Sequence, residues 1–297
     1  MSATNTPGAR QTLDHDPNGS NVMEIPIVDL AGIDGPATRL QIARELALHS
    51  RKTGFAMLRH HGIPMAELAA TLETIRTLLD LPAQAWEDFP LSKGLVGYDP
   101  EPTRPELEAL WLSGKPGTLR RDAESLPRAW RPHLEQIEGF KETCHDLLLK
   151  LLACFDLAMG TARDQGLERK HRDSPDSRVL YRIHRYRREY SEDCRQASVT
   201  VPITASTSGT GTIAIAFRSI GGLEVQATNG QWLTMPEEAG LVVAYLGDVV
   251  PFWSRGQLQA TRYRLTWREV APETQRINMI FASTTAPNFA LPETGRP

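Results

Sequence analysis

The chain has 297 residues, 40% of them hydrophobic and 23% charged, which is enough apolar material for a sizeable core. Lys and Arg total 33 against 36 Asp and Glu, so a net charge of −3 gives no electrostatic ground for nucleic acid or an anionic membrane as partner. Apolar runs are broken by charge well before the ~18 residues of a spanning helix, and three cysteines without a C-x-x-C argue against a disulfide scaffold and for a cytoplasmic setting.

Residues 1–22, rich in Ser, Thr, Asn, Gly, Pro and Asp, read as a disordered tail with no signal-peptide pattern. A strand-like run covers Ile25 to Leu30. Leu40, Ala43, Leu46 and Ala47 fall at helical spacing, which predicts an amphipathic helix from Ala37 to Arg51. Gly54 to Leu58 predicts a buried strand, and the adjacent His60 and His61 are expected to face opposite sides of it, which argues against a metal pair. A second helix is expected from Met65 to Leu79. The Pro- and Gly-punctuated stretch from Pro82 to Arg131 reads as irregular surface with short helices. A long helix then runs from about Pro132 to Gln165, its apolar face carrying Leu147, Leu148, Leu151, Leu152, Phe155 and Leu157.

Past Asp176 the pattern changes to short β-type runs separated by Gly, Asn or Pro. They span Val179–Tyr186, Val199–Ile203, Gly211–Phe217, Leu223–Ala227, Gln231–Met235, Leu241–Leu246, Gln259–Trp267 and Arg276–Ser283. Eight strands at this spacing predict a barrel or a double-sheet jelly roll. The expected class is α+β with a mainly β core. One domain is expected over 23–289, a helical part (23–176) packed on a jelly-roll core (177–289), followed by a short tail over 290–297. Gly247-Asp248 reads as a turn. Trp253 and Tyr245 line either the barrel mouth or the core.

The order of these elements and their punctuation resemble the isopenicillin-N-synthase-like branch of the iron(II)/2-oxoglutarate oxygenases. Ile25 to Asp29 looks like that family's opening strand, and Gly54-Phe55 through His61-Gly62-Ile63 looks like its "GFF…NHGI" segment. Gly221-Gly222-Leu-Glu-Val-Gln226, Gly230-Gln-Trp232 and Gly240 through Gly247-Asp248 follow three further landmarks. The resemblance implies a double-stranded β-helix and an iron site of two His and one carboxylate with open positions for 2-oxoglutarate and oxygen.

The ligand positions depart from that pattern. Ala205 falls at the first His, Thr207 at the Asp and Tyr263 at the distal His, and no His follows His184 in the chain. The sequence therefore predicts that neither iron nor 2-oxoglutarate is bound. Arg276-Ile277-Asn278 occupies the family's Arg-x-Ser, in which Arg pairs with the cosubstrate carboxylate. His184-Arg185-Tyr186 occupies its Asn-x-Tyr. Period two puts Arg182, His184 and Tyr186 on one strand face, and the basic run Arg182–Arg188 reads as a largely solvated one.

These positions predict His184 as a general base and Tyr263 as a hydrogen-bond donor to a substrate carbonyl, or else as a filler of the space left by metal and ligand. Arg276, Asn278, Tyr186, Arg182, Thr207 and Trp253 are expected to contact substrate. The function they suggest is a metal-independent, redox-neutral biosynthetic enzyme of specialised metabolism (cyclase, isomerase or lyase) acting on a small carboxylate-bearing molecule. Two alternatives stand beside it: an inactive pseudo-oxygenase that scaffolds an active homologue, and an oxygenase with relocated metal ligands. The expected partner is a small molecule, with a homodimer or a heterodimer with an oxygenase homologue also open, and with no nucleic acid or membrane.

Overall fold

The computed structural model describes residues 25–92, 96–100, 107–161, 166–173, 178–187, 201–203, 211–236, 238, 240–266 and 275–284. The expected tails and Thr207 and Ala205 lie outside these. The chain opens with β1 (Ile27–Asp29), α1 (Pro36–Ser50), β2 (Phe55–Arg59) and α2 (Met65–Leu79), each within two residues of its predicted place. Pro36 at the start of α1 fits the first turn, where its missing N–H has no partner to lose.

Two short strands, β3 (Gly97–Asp99) and β4 (Leu107–Ser113), lie in the stretch expected to be irregular. In β4 Leu107, Ala109, Leu110 and Leu112 are buried, and all seven residues pair with β5 (Arg178–Arg187). A short segment flanked by Pro and charge gives little local signal; its partner strand decides it. The predicted long helix divides. A 3₁₀ turn holds Pro132, α3 is the short helix Thr118–Arg121, and α4 runs Leu134–Ala158. A separate α5 (Leu167–Asp173) follows, its first N–H groups (Leu167 and Glu168) donating to the Asp156 carboxylate at 2.8 and 2.9 Å.

The expected jelly-roll strands are all present: β5, β6 (Val201–Ile203), β7 (Ile213–Arg218), β8 (Leu223–Gln226), β9 (Trp232–Thr234), β10 (Val242–Leu246), β11 (Arg262–Leu265) and β12 (Gln275–Thr284). A one-turn α6 (Val250–Trp253) links β10 to β11. An eight-stranded sheet has the order β1-β2-β10-β7-β12-β5-β4-β3, and a four-stranded sheet has β6-β11-β8-β9. Among the described residues the β1–β2 ladder is parallel and the other ladders are antiparallel. The fold is a double-stranded β-helix with helices on one side, α+β as expected.

Alternation along the strands separates two cores. On β12, Ile277, Met279 and Phe281 face outward to α4 and the helical layer, with Phe140 and Trp130. Ile280 and Ala282 face inward to the small sheet, with Met57, Val225 and Leu265. Two expectations change here. His60 lies past β2 in a turn, at φ 51°, with Nδ1 2.8 Å from Asp29, while His61 Nε2 lies 3.2 Å from the Gly240 carbonyl. The basic run is not a solvated face either: Arg182 and Arg185 are each 2% exposed. Both faces of β5 are covered, and Arg185 bridges Asp80 at 2.6 Å and Glu108 at 2.8 Å. No helix among the described residues is long and apolar enough to cross a membrane.

Candidate functional site

The inward faces of both sheets enclose a cavity of about 30 Å³, room for a water or two. Much of its wall is aliphatic: Leu223, Val225, Val243, Leu265 and Ile280. Into it project Tyr186 from β5, Arg218 from the end of β7, Tyr245 from β10, Tyr263 from β11 and Asn278 from β12. No Asp or Glu among the described residues lines it. Strand alternation puts these groups here, since Ala214, Ala216 and Arg218 share the inward face of β7, as do Val243 and Tyr245 on β10.

The rings of Tyr245 and Tyr263 lie 5.4 Å apart at 51°. Burial pushes both phenols above their ordinary value, Tyr245 furthest, while the Arg182 guanidinium opposes the rise at each. Arg182 itself stacks over the Trp111 indole, its Cζ 5.0 Å from the ring centroid. The Tyr186 hydroxyl lies 3.3 Å from His184 Nδ1, so His184 reaches the cavity through Tyr186. Asn278 Oδ1 is buried and has no hydrogen-bond partner among the described residues.

The structure thus gathers Tyr186, Tyr263 and Asn278 at one cavity, with His184 and Arg182 beside it. Two predicted contacts lie elsewhere. Arg276 is 1% exposed and is not part of the cavity wall. Its Nη2 donates to the carbonyls of Thr266, at 2.7 Å, and Gly221. Trp253 packs on the outer core at the end of α6. Thr207 lies outside the described residues. Arg218 and Thr261 are polar lining residues that the sequence pattern did not single out; alternation on β7, carried one step past the predicted end at Phe217, identifies Arg218.

A jelly-roll barrel whose polar groups converge between its sheets is the architecture of a protein with a site inside its barrel. Residues 25–110 match the family model for the non-haem dioxygenase N-terminal region, and residues 180–285 match that of the 2OG-Fe(II) oxygenase superfamily. A 2-oxoglutarate-dependent dioxygenase DAO of Oryza sativa is 28% identical over 252 residues, covering 82% of this chain and 78% of the relative. Flavanone 3-dioxygenase of Petroselinum crispum is 25% identical over 281 residues, 90% of this chain and 72% of its own. The 2-oxoglutarate complex of dioxygenase for auxin oxidation 1 from Arabidopsis thaliana superposes with a TM-score of 0.73 at 18% identity, covering 91% and 96% of the two chains. The chain belongs to the 2OG-Fe(II) oxygenase superfamily.

This relationship overturns the expectation that iron and 2-oxoglutarate are absent. The matching superfamily model is named for 2OG and Fe(II), and matching relatives are named as 2-oxoglutarate-dependent dioxygenases, so the expected absence of both cofactors is not upheld. The expectation fails because it weighs the ligand positions alone. The described residues do not by themselves fit iron: no group of three or more His, Cys, Asp or Glu comes together among them. The cavity wall offers phenols, an amide and a guanidinium instead of the two-His, one-carboxylate set. Residues 204–210, which include two of the resembling ligand positions, lie outside the described residues. Arg218 stands at the wall with Nη2 donating to the Pro236 carbonyl at 3.1 Å, and the Tyr186 hydroxyl stands there beside His184, while Arg276 is engaged with backbone carbonyls away from the cavity.

Proposed function

We propose that the protein is an oxygenase-fold enzyme that admits a small organic acid between its two sheets, which part to widen the water-sized cavity between them. The observation that carries this reading is the convergence of three phenols, Asn278 and Arg218 on one cavity whose described wall holds no Asp or Glu and is otherwise largely apolar. Buried polar groups of this kind fix a ligand's orientation against an apolar wall. Arg218 supplies charge at the wall. Tyr186 exchanges a proton with the ligand, and His184, hydrogen-bonded to it, takes up or returns that proton. Relatives named for flavanone and for auxin oxidation support a small-molecule ligand.

A cavity of 30 Å³ also favours a second reading, a pseudo-oxygenase whose barrel is filled and which scaffolds an active homologue. Titration calorimetry with 2-oxoglutarate and benzoate separates the two. The enzyme reading expects saturable binding that Ala216→Phe, which fills the cavity from β7, abolishes. If neither acid binds the wild-type protein, the enzyme reading falls.

A further inference from the structure

We propose that Tyr186 and His184 form a proton-coupled redox pair that holds a neutral tyrosyl radical, with Trp111 as the electron's way out of the barrel. Such a pair goes beyond the enzyme reading above and needs no ligand in the cavity.

A phenol gives up an electron readily only when its proton has a base to go to, because the protonated radical is a very strong acid. Among the described tyrosines one hydroxyl meets that condition. The Tyr186 hydroxyl lies 3.3 Å from His184 Nδ1, and an imidazole nitrogen is a base at neutral pH. The Tyr181 hydroxyl bonds the Met279 sulfur at 3.1 Å, and a thioether is only a weak acceptor. Tyr245 and Tyr263 face one another, their rings 5.4 Å apart, so each has a phenol beside it and not a base. Tyr98 stacks its ring on Trp86.

Register puts the path on one sheet face. Trp111 pairs with Arg182 across β4 and β5, Ala109 with His184, and Leu107 with Tyr186. Residues two apart on a strand share a face, so Trp111, His184 and Tyr186 stand on the same side. Ring centroids are 6.3 Å apart from Trp111 to His184 and 6.0 Å from His184 to Tyr186, steps short enough for an electron to tunnel. Tyr186 is buried at the cavity wall and Trp111 is half-buried, so the path leads from the interior toward solvent.

Two features keep the radical off the indole. The Arg182 guanidinium sits 5.0 Å over the Trp111 ring and disfavours a second positive charge there. Trp111 Nε1 is buried with no hydrogen-bond partner among the described residues, so its proton has no base. The step balances with a one-electron oxidant in solution, which takes an electron from Trp111 and is reduced by one. Tyr186 refills the indole as its O–H bond breaks. The proton passes to His184 Nδ1, leaving an imidazolium and a neutral phenoxyl.

The test is flash photolysis of the full chain with a ruthenium(II) polypyridyl and a sacrificial acceptor, read by freeze-quench electron paramagnetic resonance. Wild type is expected to give a phenoxyl signal whose larger part vanishes in Tyr186→Phe. His184→Asn should slow its formation by about 10²-fold or more, as for a positioned proton acceptor, and abolish the solvent deuterium effect on that rate. Trp111→Phe should slow formation and leave the spectrum unchanged. If His184→Asn does not give a cooperative melt, the deuterium effect on the wild-type chain decides the matter, and its absence overturns the pair. A signal undiminished in Tyr186→Phe, or a rate unaltered in His184→Asn, overturns the proposal. A rate unaltered in Trp111→Phe overturns the exit path. None of these outcomes bears on acid binding, so the enzyme reading stands or falls by calorimetry alone.

Discussion

Gly222 and Arg276 are fitted to one another: a Cβ at Gly222 would stand 2.5 Å from Nη2 of Arg276. Gly222 also sits at φ +84°, a region that a side chain strains to adopt. The guanidinium reaches the Gly221 and Thr266 carbonyls only because position 222 carries no side chain. The glycine of the "GGLEV" landmark and the arginine of Arg-x-Ser therefore form one structural unit that ties the start of β12 to the residues flanking β8 and β11.

Gly222→Ala is expected to destabilise the protein by about 2 kcal/mol or more, combining backbone strain with displacement of the guanidinium. Arg276→Lys should lose one of the two carbonyl bonds, roughly 1.5–3 kcal/mol for a charge-assisted hydrogen bond. Urea unfolding midpoints measure both. Loss of ligand affinity in Arg276→Lys at unchanged stability would instead make Arg276 a ligand contact.

Glu138 and Lys141 form a fully buried pair on α4. The Glu138 carboxylate accepts from the Gly117 and Leu119 amides, each at 2.8 Å, and Lys141 Nζ lies 2.9 Å from the Thr118 hydroxyl and 3.2 Å from Glu138. Burial pulls the amine down, and Glu138 offsets it. Glu138→Ala strands the lysine and two amides, so a loss of about 3–5 kcal/mol is expected in denaturant titration. A loss below about 1 kcal/mol would show that the α3 turn repacks around the lysine.

Much of this architecture is legible in the sequence, and what is not has particular causes. The eight jelly-roll strands follow from alternation and turn residues, because each is long enough or apolar enough to declare its period. Residues Leu107–Ser113 are not legible as a strand, since their full-length partner is β5, about 70 residues away in sequence, and their near neighbour β3 covers three of them. The inward face Arg182-His184-Tyr186 is legible from period two. That both faces of β5 are covered is not, which is why the pattern alone makes Arg185 look solvated. Arg276 is legible as a buried arginine but not in its partners, because carbonyls at Gly221 and Thr266 leave no mark on the side-chain pattern.

His171 gives stability a pH dependence. Its Nδ1 lies 2.7 Å from the Leu167 carbonyl, and Nε2 faces the Thr212 hydroxyl, which bonds Ser283. Burial lowers its pKa below the ordinary 6.5; the Leu167 and Thr284 carbonyls offset part of that, and the Lys170 charge lowers it further. The folded form keeps the imidazole neutral where the unfolded chain takes a proton. Its contribution is therefore complete above about pH 6.5 and is lost as pH falls from there toward the folded value. His61 and His145 act in the same direction, while Asp156, raised by burial, acts oppositely at lower pH. Unfolding midpoints between about pH 7.5 and 5.5 should fall more steeply in wild type than in His171→Asn, which has no imidazole to protonate on unfolding. Parallel curves would sink the assignment.

The hydrogen bond between His184 and Tyr186 makes a prediction that needs no substrate. With Nδ1 unprotonated the phenol donates to the imidazole, and with Nδ1 protonated the imidazole donates to the phenol oxygen, so the 3.3 Å contact survives in either direction. That two-way character is what a proton path between the cavity and the half-buried imidazole requires. The rings stand nearly perpendicular, at 84° with centroids 6.0 Å apart, so edge-to-face packing adds to the bond. A double-mutant cycle of His184→Asn and Tyr186→Phe is expected to show a coupling of about 0.5–1.5 kcal/mol in unfolding free energy. Additive losses, with no coupling, would show that the two side chains act independently and would remove His184 from the cavity's chemistry.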